Sequence, residues 1–203
     1  MDRAQRAATT LVNRLEEWLE RWFVRRFEIR EIAEGGHIFR IGVVRYRGAG
    51  HTFVDGTAVT RGDKVGELHI NNLRVAALHE SRHAGFRYRR GVFRGLAALA
   101  KEVQTRPEYL ALRAFGGPSL FWNEATLLGF EQWPVTRVAQ WWNGAWERHL
   151  LARYHPAGRH RLAVGNRIES RQIWISRKTL IERWGGCSWA RRTVASGPRP
   201  LAE

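Results

Sequence analysis

Three polar residues alternate with two apolar ones in the stretch ELHIN, where Glu67, His69 and Asn71 are separated by Leu68 and Ile70. Residues two apart in a strand point to the same face of a sheet, so the three polar side chains would share one face. A carboxylate beside an imidazole raises the basicity of the imidazole and fixes its tautomer, which suits proton transfer from a substrate. We therefore predict a catalytic centre at Glu67, His69 and Asn71. A solvated sheet face is the alternative.

A second set of candidate residues is the motif H-E-x-x-H, formed by His79, Glu80 and His83. On one helix the two histidines would share a face and hold zinc, with Glu80 as the general base. The charged Arg82 occupies a position that packs inward in zinc peptidases, and no third histidine follows; only a distant carboxylate such as Glu102 remains. We predict that the chain holds no metal, and keep a zinc hydrolase as a minor alternative.

A cluster of arginines and glycines begins the predicted helix that follows. A helix N-terminus with free backbone N–H groups and nearby guanidinium groups suits a phosphate or pyrophosphate. The alternative is a basic start of an ordinary amphipathic helix. The predicted cofactor-binding residues are Arg87, Arg89, Arg90, Gly91, Arg94 and Gly95.

The elements that must position these residues fall into two halves. The first half begins with an amphipathic helix over residues 8–25, whose mixed charge favours packing on a core. Strands follow at 27–32, within 37–47, at HTFV (51–54) and at KVGELHINN (64–72), separated by Gly-containing turns. These strands predict an antiparallel meander.

The second half is predicted to be mainly helical, with one returning strand. Its predicted helices cover residues 73–84, 92–104, 119–128, 135–154 and 178–184, and its strand is RQIWIS (171–176). Strands first and helices later predict an α+β domain over residues 1–190. The tail over 191–203, which contains the stretch SGPRP, is predicted to be disordered.

The charge of the chain is its most unusual overall property. The 203 residues carry a formal net charge of +15, almost all of it from arginine, and the pI is about 11.4. Such a charge predicts an acidic partner: a phosphate-bearing small molecule, an anionic membrane surface or nucleic acid. An arginine-biased composition that needs no ligand is the alternative.

The sequence also predicts where the protein acts. It contains one cysteine, lacks a run of about 20 apolar residues that could span a bilayer, and its first residues lack the apolar core of a secretion signal. We expect a cytoplasmic protein, with peripheral contact at the inner membrane face as an open alternative.

Four short blocks resemble the YkoP-like domain family: DGTAVTRGDKVGELHINN (55–72), LGFE (128–131), RYHPAG (153–158) and IWISRKTLIERWG (173–185). Domains of this family occur alone or attached to polysaccharide deacetylases. The resemblance implies a role near cell-envelope glycans or glycolipids and a polysaccharide deacetylase as partner. It implies no particular catalytic residues.

Two further blocks, YRRGVFRGLAALAKEV (88–103) and NEATLLGFE (123–131), resemble GNAT-type acyltransferases. In that fold an arginine- and glycine-rich turn opens a helix, and a second helix ends in Leu-Gly-Phe. The resemblance implies acyl-CoA or another acyl carrier as the cofactor, held by the arginine–glycine cluster.

The resulting functional hypothesis is an enzyme of envelope amino-sugar metabolism, an N-acyltransferase that works alongside a deacetylase. Glu67 or His69 would take the proton from the ammonium group of the acceptor, because an amine must be neutral to attack. The alternative is a non-catalytic basic module that binds an anionic membrane or another polyanion. Nucleic acid is the less favoured partner because no nucleic-acid-binding module is recognisable.

Overall fold

A computed structural model describes residues 24, 28–32, 37–78, 83–119, 121–133, 148 and 170–186. The helices predicted over 8–25 and 135–154 lie outside these residues, except for Val24 and Arg148, which are helical. The predicted tail over 191–203 also lies outside them. Whether residues 1–190 form one domain therefore stays a prediction.

In the described part of the chain, six strands form one mixed sheet, and two more form a separate hairpin. The sheet has the order β1-β2-β5-β6-β8-β7, in which β5 and β6 are parallel and every other neighbouring pair is antiparallel. Its strands are β1 (Arg30–Glu31), β2 (Phe39–Arg45), β5 (Lys64–Ile70), β6 (Ala114–Ser119), β7 (Glu131–Trp133) and β8 (Arg171–Ser176). The hairpin consists of β3 (His51–Thr52) and β4 (Ala58–Val59).

The helices connect the later strands. They are α1 (Asn72–Leu78), α2 (Ala84–Thr105), α3 (Trp122–Leu127) and α4 (Arg177–Leu180), and a π-helical turn (Ile181–Gly185) continues α4. A short 3-10 turn (Pro107–Tyr109) follows α2. Helices α1 and α2 form the crossover that parallel strands require, from the end of β5 to the start of β6.

The main hydrophobic core lies between one face of the sheet and α2. Leu96 and Leu99 of α2 pack with Ile41, Phe115 and Ile175 of the sheet, and all five side chains are essentially inaccessible to solvent. Each such side chain contributes about 1.5–3 kcal/mol of transfer free energy when it is fully buried. Packing in this core fixes the position of α2 along the direction of strands β5 and β6.

A second, smaller core lies on the opposite face of the sheet. Phe53 and Val59 of the hairpin region pack there against Val65, Trp133 and Trp174. The rings of Trp133 and Trp174 stack with their centroids 5.0 Å apart. The hairpin thus covers the end of this face at which β5 begins.

Asp55, in the turn of the hairpin, fastens the hairpin to the end of the sheet. Its Oδ2 atom accepts hydrogen bonds from the hydroxyls of Ser176 and Thr179, the latter at 2.9 Å, and its Oδ1 atom accepts one from the backbone N–H of Thr57 at 2.9 Å. Ser176 is also the N-cap of α4 and accepts from the N–H of Thr179. One carboxylate therefore joins two elements that are far apart in sequence.

The predicted α+β class is confirmed, and several elements differ in detail. The hairpin β3–β4 leaves the main sheet, so β2 pairs directly with β5 and the strands do not form a simple meander. Strands β6 and β7 were not predicted from the sequence. Strand β8 and the helix that follows it were predicted. Helix α2 begins at Ala84, eight residues earlier than the predicted residue 92.

Candidate functional site

Glu67 and His69 lie on the same face of β5 as Val65. Val65 is fully buried in the small aromatic core, whereas Glu67 and His69 are half-buried beyond that core. The intervening Leu68 packs against the main core on the other face. The strand alternation expected from the sequence therefore describes this part of the chain.

Glu67 lies between two glycines on the neighbouring strands. Its partners in register are Gly42 of β2 and Gly116 of β6, neither of which has a side chain. At this level of the sheet the carboxylate consequently has no side chain beside it on either neighbouring strand. Burial raises the pKa of Glu67 above its usual value of 4.5, because a charged carboxylate is less stable away from water.

His69 lies opposite Arg40 of β2 in the register of the sheet. Burial, and then the positive charge of Arg40, lower the pKa of His69 to about 4. The expectation that a carboxylate would raise its basicity is therefore wrong. His69 is a neutral imidazole near neutral pH, which both donates and accepts hydrogen bonds but is a weak base.

Asn71 lies one residue past the end of β5 and caps α1. It is 2% exposed, and its Oδ1 atom accepts a hydrogen bond from the N–H of Arg74 at 3.3 Å while its amide donates to Glu31 Oε1 at 3.3 Å. With the amide turned over, its oxygen instead accepts from Arg40 Nη2 at 3.0 Å. In both orientations its polar atoms bind protein groups, and in the first of them Asn71 is the N-cap of α1.

The ladder between β5 and β6 is short. It has two register pairs, Gly66 with Phe115 and Glu67 with Gly116, although β5 continues to Ile70 beside β2 and β6 continues to Ser119 beside β8. Residues 68–70 and 117–119 are therefore unpaired in the ladder, although a Cβ at Gly117 would still lie 3.5 Å from the carbonyl oxygen of Leu68. We call this unpaired stretch at the carboxyl ends of the two parallel strands the β5–β6 gap, and Glu67 lies where the ladder ends.

Gly91 and Gly95 lie inside α2 and face the sheet. A Cβ atom at Gly91 would lie 3.1 Å from Ile38, and one at Gly95 would lie 2.5 Å from the Phe39 ring. Because the helix begins at Ala84, the N–H groups of both glycines belong to its hydrogen-bonded interior. The assumption that these glycines free N–H groups for a phosphate is wrong; they allow α2 to approach β2 closely.

The arginines of the predicted phosphate site differ in their surroundings. Arg87, Arg89 and Arg94 are exposed, and the guanidinium of Arg89 lies over the Phe93 ring at 5.6 Å. Arg90 is half-buried, and its Nε atom is fully buried with no hydrogen-bond partner among the described residues. A buried donor without a partner is costly, so Arg90 is the arginine of this set that an anion would stabilise most.

The two predicted sets of site residues lie on opposite faces of the sheet. Gly91 and Gly95 contact the face that carries the main core, whereas Glu67 shares the face of the aromatic core. Gly91 lies beside Ile38, which is hydrogen-bonded to Asn71 just past the end of β5, so the seven residues of α2 before Gly91 extend about 10 Å past that end. Both sets border the carboxyl ends of β5 and β6, where the β5–β6 gap opens.

The zinc motif is only partly described. His79 and Glu80 lie outside the described residues, and His83 is the exposed N-cap of α2, with non-helical backbone angles (φ −117°, ψ 38°). The helical spacing on which the two-imidazole argument depends is thus not present at His83. Within the described ranges, no group of three or more metal-binding side chains comes together.

A shallow cavity of about 630 Å³ lies at the other end of the sheet. It is bounded by Leu112 and Arg113, which precede β6, and by Lys178, which follows β8. It is open to solvent and lies away from Glu67. We place the candidate site at the β5–β6 gap because a buried carboxylate and a break in the strand ladder coincide there.

Three features of this site were not anticipated from the sequence. Arg40 reaches His69 from a strand that is 29 positions away in sequence, Gly42 and Gly116 flank Glu67, and the ladder stops beside it. Of these features, only the glycine beside Glu67 on β6 could have been suspected from the sequence. Consecutive glycines such as those at positions 116–117 indicate a close backbone approach or a bulge when they occur within a strand.

The YkoP domain model matches residues 9–184, which is most of the chain. The chain belongs to the YkoP domain family. No curated protein and no solved structure matches it at a significant level. Among the described helices, none is both long and apolar enough to cross a membrane.

Proposed function

We propose that this YkoP domain is an N-acyltransferase whose acyl carrier enters the β5–β6 gap and whose acceptor amine is deprotonated by Glu67. The observation that carries the proposal is the position of a half-buried carboxylate of raised pKa at the point where the parallel ladder stops. In open sheets, ligands bind outside the carboxyl ends of parallel strands, so this is the end of the sheet at which a substrate is expected.

The chemistry follows from the proton that an amine must lose. Glu67 accepts a proton from the ammonium group, and the free amine attacks the carbonyl carbon of the acyl thioester. A C–N bond forms and the C–S bond breaks; the nitrogen loses its remaining extra proton to solvent, the leaving thiolate gains one from solvent, and an amide and a free thiol result. A carboxylate of raised pKa is a stronger base than an exposed one, and general-base catalysis contributes about 100-fold or more.

The role of His69 in this proposal is to orient the acceptor. Because its pKa is about 4, the ring is neutral at the pH at which Glu67 acts as a base. A neutral ring donates from one nitrogen and accepts at the other, and so can position a hydroxyl or amine group. Asn71 has no direct role, because capping of α1 occupies its polar atoms.

The gap itself is suited to an extended acyl carrier. Unpaired N–H and C=O groups along a strand edge bind extended chains by adding a strand, and the pantetheine arm of an acyl carrier has amide groups of the same kind. The phosphates would meet Arg90, whose Nε atom is buried and has no hydrogen-bond partner among the described residues.

The acceptor class comes from chemistry and from the family resemblance. A polysaccharide deacetylase exposes the amine of an amino sugar, and an N-acyltransferase consumes such an amine. We therefore propose an amino sugar or amino glycolipid as the acceptor, and a deacetylase as the functional partner of this chain.

The test is calorimetric titration of the protein with an acyl-CoA such as acetyl-CoA. Arg90→Ala should weaken binding about tenfold, the usual effect of losing one charge-assisted hydrogen bond. Arg89→Ala removes the same charge from a neighbouring exposed position and should change binding less than about twofold. The absence of binding by the wild-type protein at millimolar acyl-CoA, or equal losses in the two variants, would contradict the proposed carrier site.

A further inference from the structure

The solvent-facing side of α2 near its beginning carries only positively charged side chains and one exposed aromatic ring. Phe86 is 69% exposed, and Arg87, Arg89 and Arg94 are exposed around it. We call these four side chains the α2 basic face. No aspartate or glutamate occurs between His83 and Lys101.

Two other arginines of the described surface lie beside carboxylates: Arg30 lies 3.6 Å from Glu108, and Arg74 lies 3.3 Å from Glu31. In the part of the chain that the structure describes, Arg87, Arg89 and Arg94 form no ion pair. The start of α2 therefore carries positive charge that no acidic residue of the same segment offsets.

We propose that the α2 basic face binds the surface of a bilayer that contains anionic lipids. Arginines pair with lipid phosphates, and an exposed phenylalanine beside them inserts at the boundary between headgroups and acyl chains. Phe86 lies in the first turn of α2 and is 69% exposed, so its ring is accessible to such a surface.

The composition of the segment favours lipid over nucleic acid. Between His83 and Lys101 there is no serine, threonine, asparagine or glutamine to read base edges. The surface is that of a single convex helix rather than a groove that tracks a strand. This inference uses exposed side chains and does not depend on the β5–β6 gap or on Arg90.

The test is sedimentation of the full chain with vesicles of phosphatidylcholine, with and without phosphatidylglycerol. Binding should require phosphatidylglycerol and should weaken as ionic strength rises. The triple variant Arg87→Gln, Arg89→Gln and Arg94→Gln should lower the partition coefficient about 100-fold, since each basic residue near an anionic surface contributes about fivefold. Phe86→Ser, which leaves the charge unchanged, should lower it about tenfold.

Matched controls separate this face from net charge. The triple variant Arg47→Gln, Arg61→Gln and Lys178→Gln removes the same charge from other exposed positions and should lower partitioning less than about fivefold. Leu127→Ser removes an apolar side chain that is 77% exposed on α3 and should have no effect.

Three results would overturn the inference: equal loss in the two triple variants, full binding by Phe86→Ser, or tight binding of a duplex oligonucleotide with none to anionic vesicles. If the α2 triple variant unfolded, judged by circular dichroism, Phe86→Ser would decide the question, because the residue is exposed and its replacement leaves the core intact. Phe86→Ser should also leave acyl-CoA affinity unchanged, which separates this inference from the proposed carrier site.

Discussion

The carboxylate of Asp55 should stabilise the fold in a pH-dependent way, and the effect can be worked out from its contacts. Burial opposes its ionisation, but hydrogen bonds from Ser176, Thr57 and Thr179 outweigh burial and lower its pKa from 3.8 to about 2. Each pKa unit corresponds to about 1.4 kcal/mol, which gives an upper bound of about 2.5 kcal/mol. Because Asp55 is partly exposed, solvent screening reduces this to about 1 kcal/mol.

The sign follows from the direction of the shift. Since the folded-state pKa lies below that of the unfolded chain, the stabilisation is fully present well above pH 3.8 and is lost as the pH falls toward about 2. Asp55→Asn should therefore lower the free energy of unfolding by about 1 kcal/mol near neutral pH, and by about half as much near pH 3.

The assay is urea denaturation followed by tryptophan fluorescence at both pH values. Glu182→Gln is the control, because it removes the same charge from an exposed position near the same helix and should change stability by less than about 0.5 kcal/mol. A loss in Asp55→Asn that is equal at both pH values, or that matches the control, would refute the role assigned to these hydrogen bonds.

Three further predictions concern packing, capping and metal content. Gly95→Ala should lower stability by about 1–2 kcal/mol in thermal unfolding because its Cβ would overlap Phe39, whereas Gly85→Ala, which meets open space, should be neutral or stabilising. Arg177→Met should cost about 3 kcal/mol in urea denaturation because it removes hydrogen bonds to the carbonyls of Val103, near the end of α2, and Tyr109, in the 3-10 turn that follows; a loss below 1 kcal/mol would contradict this. The purified protein should contain no stoichiometric zinc by elemental analysis; one tightly held zinc per chain that is lost in His79→Ala would contradict this.

The elements that could be predicted from the sequence are those with local signals. In β5, polar and apolar residues alternate from Glu67 onward, and the two faces of the strand follow that alternation. In α2, Leu96, Leu99 and Val103 repeat at helical spacing and are all buried. The final strand and helix were predicted from RQIWIS and KTLIERW for the same reason.

The missed elements lack such local signals. Strand β6 has the sequence AFGGPS, whose two glycines and proline are poor strand formers, and its pairing with β8 decides its conformation. The start of α2 was missed because Gly85 and Gly91 weaken the helical pattern. Contact with the sheet outweighs that weakness, since Gly91 packs against Ile38.

The candidate site was only partly predictable for a related reason. The sequence places Glu67 and His69 on one face, but it does not show that Arg40 lies opposite His69 and lowers its pKa. The role of Asn71 had a local signal, because asparagine directly before a helical stretch favours an N-cap. The β5–β6 gap depends on the residue at which two strands from separate parts of the chain stop pairing. No local sequence pattern predicts that residue.

The central claim is that Glu67 is the base that deprotonates an acceptor amine. The most direct measurement is the pH dependence of thiol release from acyl-CoA with an amino-sugar acceptor, for the wild-type protein and Glu67→Gln. The account predicts that the wild-type rate falls on acidification as Glu67 is protonated, at a pH above the usual 4.5, and that Glu67→Gln is about 100-fold slower with unchanged acyl-CoA affinity. A Glu67→Gln variant that keeps the wild-type rate and pH profile would contradict it.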